Sequence, residues 1–222
     1  MIDRVLVKTY GEPPVDRREI LRYSGCRGES AEGEALLDEL VSSCKGVFRY
    51  QVCYREFPVS FGEETDIGFL KTPSKGLRKH LQNCHKAVVF AATVCIGIDR
   101  LIAKYSRLSP TKALLLQAYG AERVEALCDA FQAEIEREEA ARNCFIRSRF
   151  SPGYGDLPLE NQREFVSVLD CSRKIGVSLN DSLLMSPSKS VTAIIGVSKT
   201  ECREKVETCK NCENRDCPFR KG

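Results

Sequence analysis

Apolar positions recur along the chain with two periods, one suited to helices and one to strands. Residues 4–10, Arg-Val-Leu-Val-Lys-Thr-Tyr, predict a short strand that Gly11-Glu12-Pro13-Pro14 breaks. A short helix over 16–23 turns Ile20 and Leu21 inward. A better helix spans 30–44, where Leu36, Leu37, Leu40 and Val41 share a face and Gly46 supplies a stop. Residues 47–58 alternate and are rich in aromatic and β-branched side chains, which predicts a half-buried strand. Residues 61–70 read as a second strand or a loop, and 74–83 as a short helix with Leu77 and Leu81 on one side.

The run from Cys84 to Val94 is apolar enough for a buried strand, or for the start of a helix continuing through Ile98 to Tyr105. Ser109-Pro110 is a helix start, with a cap and then a proline in the first turn. The helix should run to about Ala141, with Val124, Leu127, Cys128, Phe131 and Ile135 as its buried stripe. Glu125, Asp129 and Gln132 form a neighbouring stripe, and Glu125 sits about 100° around from Val124, where a side chain can reach a cleft. Pro158 opens a last helix, faced by Leu159, Gln162, Phe165, Val166 and Leu169 and ended by Gly176. Residues 177–184 and 190–197 read as two strands joined through Met185-Ser186-Pro187-Ser188-Lys189. Helices mixed with hairpins predict an α+β fold, a mixed or antiparallel sheet packed with helices.

Composition narrows the function more than the fold. Thirty-four basic and 31 acidic residues leave a net charge of +3, which gives no reason to expect a nucleic-acid partner. No apolar run reaches the roughly 18 residues that a membrane span needs. Met1-Ile2-Asp3-Arg4 does not begin a leader pattern, so a cytoplasmic chain is expected. Nucleotide fingerprints, phosphate loops and nucleophile elbows are absent from the sequence, and two histidines are too few for a histidine metal site.

Twelve cysteines fall into two groups. Cys26, Cys44, Cys53, Cys84, Cys95, Cys128, Cys144 and Cys171 are scattered and suit small buried hydrophobes. Cys202, Cys209, Cys212 and Cys217 crowd a polar tail, which divides the chain into a domain over 1–198 and a tail over 199–222. Four thiolates with one Cys-x2-Cys pair match tetrahedral zinc or a four-cysteine iron–sulfur cluster, and the spacing does not separate the two.

The densest chemistry lies in Arg149-Phe150-Ser151-Pro152-Gly153-Tyr154-Gly155-Asp156. Pro152 fixes its own φ, and the glycines permit angles and approaches that a Cβ blocks. Arg149, Tyr154 and Asp156 offer a bidentate cation, an aromatic face and an acceptor. These residues fit a cradle for a small polar ligand, or a plain surface turn in which Asp156 leads into the next helix.

Arg149-x-x-x-Gly153-Tyr154 resembles a signature of the activation domain of cobalamin-dependent methionine synthase. The likeness continues through 175–182, Met185-x-Pro187 and Ser190-Val191, and upstream through Val124-Glu125-Ala126-Leu127-Cys128-Asp129-Ala130. It covers roughly 110–198. The chain departs from the family after Tyr154, where Gly155-Asp156-Leu157-Pro158 replaces a Pro-Ala-Cys-Pro type run, and it lacks the family's late aromatic segment.

The resemblance implies an S-adenosylmethionine-binding subunit of a multi-subunit cobalamin-dependent methionine synthase. The cobalamin would be carried by a separate corrinoid-binding methyltransferase, because the chain has no Asp-x-His-x-x-Gly motif. An electron donor such as flavodoxin or ferredoxin would complete reductive remethylation. No catalytic residue is implied, since the reactive centres lie on the two cofactors. By resemblance, Arg149 meets the polar end of the cofactor, Ser151 gives backbone groups, Gly153 allows close approach, Tyr154 lines the pocket, and Glu125 accepts from an amine or ribose hydroxyls. Two other readings stand beside this one: a cluster protein that reduces corrinoid proteins without S-adenosylmethionine, and a non-catalytic binding partner.

Overall fold

The computed structural model describes residues 4–25 and 31–201. Five strands form an antiparallel sheet in the order β1-β2-β6-β10-β7: Leu6–Tyr10, Tyr50–Pro58, Cys84–Thr93, Ser190–Ser198 and Phe145–Phe150. The two central strands, β6 and β10, are apolar along their length because both of their faces are covered. Alternation divides them cleanly. Val88, Phe90, Ala92, Ala193, Ile195 and Val197 enter one core, while Ala87, Val89, Ala91 and Ile194 enter the other.

Helices α1 (Arg17–Ser24), α2 (Ala31–Ser43), α4 (Gly97–Leu108) and α5 (Pro110–Ala140) supply residues to the first core. Helices α3 (Lys75–His80), α6 (Gln162–Val168) and α7 (Cys171–Ile175) supply the second. The predicted stripe of α5, from Val124 to Ile135, is buried against the sheet, and Phe131 meets Phe90 at 4.8 Å between ring centres. Ser109 caps this helix by accepting from the Lys112 N–H, with Pro110 behind it in the first turn. The fold is the α+β class expected, with its sheet wholly antiparallel.

Several expectations need correction. The helix expected from Pro158 to Gly176 is two helices after a 3-10 turn, broken at Asp170, which takes a left-handed φ of 49°. The strand expected over 177–184 shrinks to β8 (Ser178–Leu179), and it pairs with β9 (Met185–Ser186). Between them the chain turns through Leu183 at φ 63°. Residues 145–150, which no sequence pattern marks as a strand, form the edge strand β7 just before the glycine-rich turn. Residues 60–72 make a small sheet of β3 (Ser60–Phe61), β4 (Thr65–Asp66) and β5 (Lys71–Thr72). The run after Cys84 is a strand that ends before a separate helix begins at Gly97. Cys44, Cys53, Cys84, Cys128 and Cys171 are buried, as small hydrophobes should be.

Candidate functional site

Strand β7 carries the predicted arginine to the flank of α5. The Arg149 guanidinium donates to Glu125 at 3.0 Å, to Asp129 at 2.7 Å and to Gln132 at 3.3 Å. The acidic stripe read beside the buried face of α5 therefore has a function: it holds this arginine. Burial works against the Arg149 charge, and the carboxylates of Asp129 and Glu125 outweigh it, so the guanidinium is held charged. Next to it lies a pocket of about 460 Å³.

The walls of the pocket come from three places. Helix α5 supplies Glu122, Glu125 and Asp129, helix α1 supplies Glu19 and Tyr23, and the segment before α1 supplies Pro13, Pro14 and Asp16. Five carboxylates thus surround one guanidinium. Three of them are committed. Asp16 caps α1 by accepting from the N–H groups of Arg18 and Glu19, Glu19 pairs with Arg22, and Glu122 pairs with Arg123. Among the described residues Glu125 and Asp129 share only Arg149, and their side chains stay 43% and 71% exposed. Burial, with the Glu125 charge beside it, raises the Tyr23 pKa, so this phenol stays protonated and faces the pocket as a donor.

The segment before α1 is anchored from inside α5. Arg123, fully buried, donates to the Pro13 and Pro14 carbonyls at 2.6 and 2.7 Å. Glu122 accepts from the Asp16 N–H at 3.0 Å and clasps Arg123 with both oxygens. This wall was not foreseen from the sequence. Its one visible signal was adjacent opposite charges in the middle of an amphipathic helix, beside the apolar stripe.

Ser151, Gly153 and Tyr154 lie in a tight turn after β7 and do not line this pocket. The turn closes through Tyr154 N–H to the Ser151 carbonyl and Gly153 N–H to the Leu157 carbonyl, with Gly153 at φ 89°. A side chain there would be strained by the backbone alone, and its Cβ would meet Leu159 at 3.3 Å. Tyr154 is 59% exposed and stands edge-on to Phe150. Asp156 lies in the turn that leads towards the next helical segment, as expected. Its carboxylate reaches back to α3, accepting from the Ser74 hydroxyl and the Lys75 and Gly76 N–H groups at 2.5, 2.7 and 2.9 Å. The structure therefore joins Glu125 to Arg149 and sets Ser151, Gly153 and Tyr154 beyond them, at the end of the same edge strand. The predicted metal ligands Cys202, Cys209, Cys212 and Cys217 lie outside the described residues. Among the described residues no cluster of three or more histidine, cysteine or acidic side chains could hold a metal ion.

An antiparallel α+β domain with an acid-lined pocket beside its edge strand is the class that fold and site define. The model of the vitamin B12 dependent methionine synthase activation domain matches residues 78–221, and the chain belongs to that family. The match extends on both sides of the region in which the sequence motifs were read. A crystal structure of the MetH reactivation domain bound to AdoHcy is similar over 91% of this chain and 82% of that one, with a TM-score of 0.65 and 14% identity. No curated protein sequence matches the chain.

Proposed function

We propose that this chain binds S-adenosylmethionine in the pocket beside Arg149 and supports reductive remethylation of a corrinoid carried by another polypeptide. The observation that carries the reading is that, among the described residues, five carboxylates and one guanidinium line a cavity of about 460 Å³. S-adenosylmethionine brings a sulfonium, an ammonium and a carboxylate, so its net charge is positive and its one anion suits an arginine fork. The size lies within the usual range for a small-molecule site. Family membership and the likeness to a domain bound to AdoHcy support the same ligand.

In this reading Arg149 has two tasks. It holds Glu125 and Asp129 at the pocket rim and meets the ligand carboxylate. Glu125 and Asp129, which have no other cation among the described residues, accept from the ammonium and hydroxyl groups. Glu19 and Asp16 add negative potential across the cavity. Tyr154 and the turn through Gly153 lie where β7 ends, available to the part of the ligand that emerges from the pocket. The bound cofactor supplies the methyl group, and the protein's contribution is orientation and charge. The electron would come from a donor of the flavodoxin or ferredoxin kind, and the corrinoid from its own methyltransferase subunit.

Calorimetry with S-adenosylmethionine tests the reading. Binding that Glu125→Gln and Arg149→Ala both weaken supports it. The absence of heat at about 1 mM ligand, where even weak cofactor sites fill, overturns it.

A further inference from the structure

A second cavity, of about 430 Å³, has no lining residue in common with the acidic pocket. Tyr10, Glu12, Phe48, Arg49, Tyr50 and Gln51 line it. Its apolar side is aromatic. Tyr10 and Tyr50 face each other across the β1–β2 pairing, and Phe48 stacks on Tyr50 with ring centres 6.0 Å apart and planes 30° from parallel. Phe48 is itself braced edge-on by Tyr119 at 5.1 Å. Two charged groups at this cavity have no assigned work. Among the described residues neither the Glu12 carboxylate nor the Arg49 guanidinium has an ion-pair partner, although both line one small space. The Tyr50 hydroxyl is buried, with the Arg123 guanidinium as its neighbour.

We propose that this cavity binds a free α-amino acid with an apolar side chain. The ligand carboxylate meets the Arg49 fork, which is shaped for two parallel hydrogen bonds. Its ammonium lies between Glu12 and the aromatic faces, which attract cations. Its side chain packs on Phe48 and Tyr50. Tyr10 and Glu12 belong to this cavity and Pro13, Pro14 and Asp16 to the acidic pocket, so one short segment walls both. Occupancy of the second site therefore fixes the first site's wall, which makes the amino acid a regulator of the pocket rather than a competitor for it. The proposal does not depend on the identity of the acidic pocket's ligand.

The test is titration of the full chain with L-leucine, L-phenylalanine and L-methionine, beside the uncharged N-acetyl-leucine amide. At least one free amino acid is expected to bind, and the uncharged analogue about tenfold or more weakly. Arg49→Gln, a change at an exposed side chain, should weaken binding on the order of ten- to a hundredfold. Glu125→Gln should leave it unchanged. The proposal is overturned if no amino acid binds by about 10 mM, or if the uncharged analogue binds equally well. It is also overturned if Glu125→Gln abolishes binding and Arg49→Gln does not, since the amino acid would then occupy the acidic pocket.

Discussion

Arg149 touches three acceptors of α5 from one guanidinium, so its replacement separates binding from stability. The pairs it makes are partly exposed, and exposed pairs contribute under about 1 kcal/mol. Arg149→Ala is therefore expected to leave urea unfolding nearly unchanged and to weaken S-adenosylmethionine binding by about 1.5–3 kcal/mol, the range for hydrogen bonds to charged groups. An unaltered affinity would make the arginine purely structural. Asp156 offers a pH prediction. The Ser74 hydroxyl, followed by the Gly76 and Lys75 N–H groups, holds its carboxyl below the ordinary value of 3.8. A carboxyl depressed on folding contributes stability that is complete above about pH 4 and is lost as the pH falls through the depressed value. Asp156→Asn should flatten that acid limb in a Tm-versus-pH series, and an unchanged limb would refute the clamp. The sequence displayed Glu125, Asp129 and Gln132 as a stripe, because helical spacing is local. It could not reveal that Arg149 joins them or that Asp156 reaches back to Ser74, because both contacts span chain that only tertiary folding closes.

The elements fix the wall between the two cavities. Arg123 and Glu122 sit inside α5 with side chains 0% and 4% exposed, and their remaining capacity goes to the Pro13 and Pro14 carbonyls and the Asp16 N–H. Removing one partner of a buried pair strands the other charge. Arg123→Met alone should cost about 3–5 kcal/mol in urea unfolding. Glu122→Gln combined with Arg123→Met should recover part of that cost, since no unpaired charge then remains. A double variant no better than the single one would show that the carbonyl contacts, and not the ion pair, dominate. At this scale the long, strongly patterned elements were legible, α5 and β6 above all, since burial on one face or both writes directly into the order of residues. Strand β7 was not. It is a six-residue edge strand containing two arginines, and its partner β10 lies 40 residues on, so pattern and turn chemistry gave no sign of it. The break between α6 and α7 was equally silent, because Asp170 takes a left-handed conformation without glycine or proline.

Ligand binding belongs to the whole molecule, because the acidic pocket closes only when residues from positions 13–23, 122–130 and 149 meet. No one of these segments forms the site in an unfolded chain, so a ligand of this pocket would bind the native state alone. Linkage then requires that saturation raise stability by about 2.7 kcal/mol at a free ligand concentration a hundredfold above Kd. For a chain of this size that corresponds to a rise in Tm of about 5–10 °C. The cysteine tail provides a contrast, since Cys202, Cys209, Cys212 and Cys217 lie far along the sequence from every described segment that walls the pocket. Replacing Cys209 and Cys212 by serine should leave the thermal shift with S-adenosylmethionine intact, while any metal in the anaerobically purified protein is lost. A shift that disappears together with the metal would make the tail part of the binding fold. A shift that survives would mean that the pocket and the tail act independently.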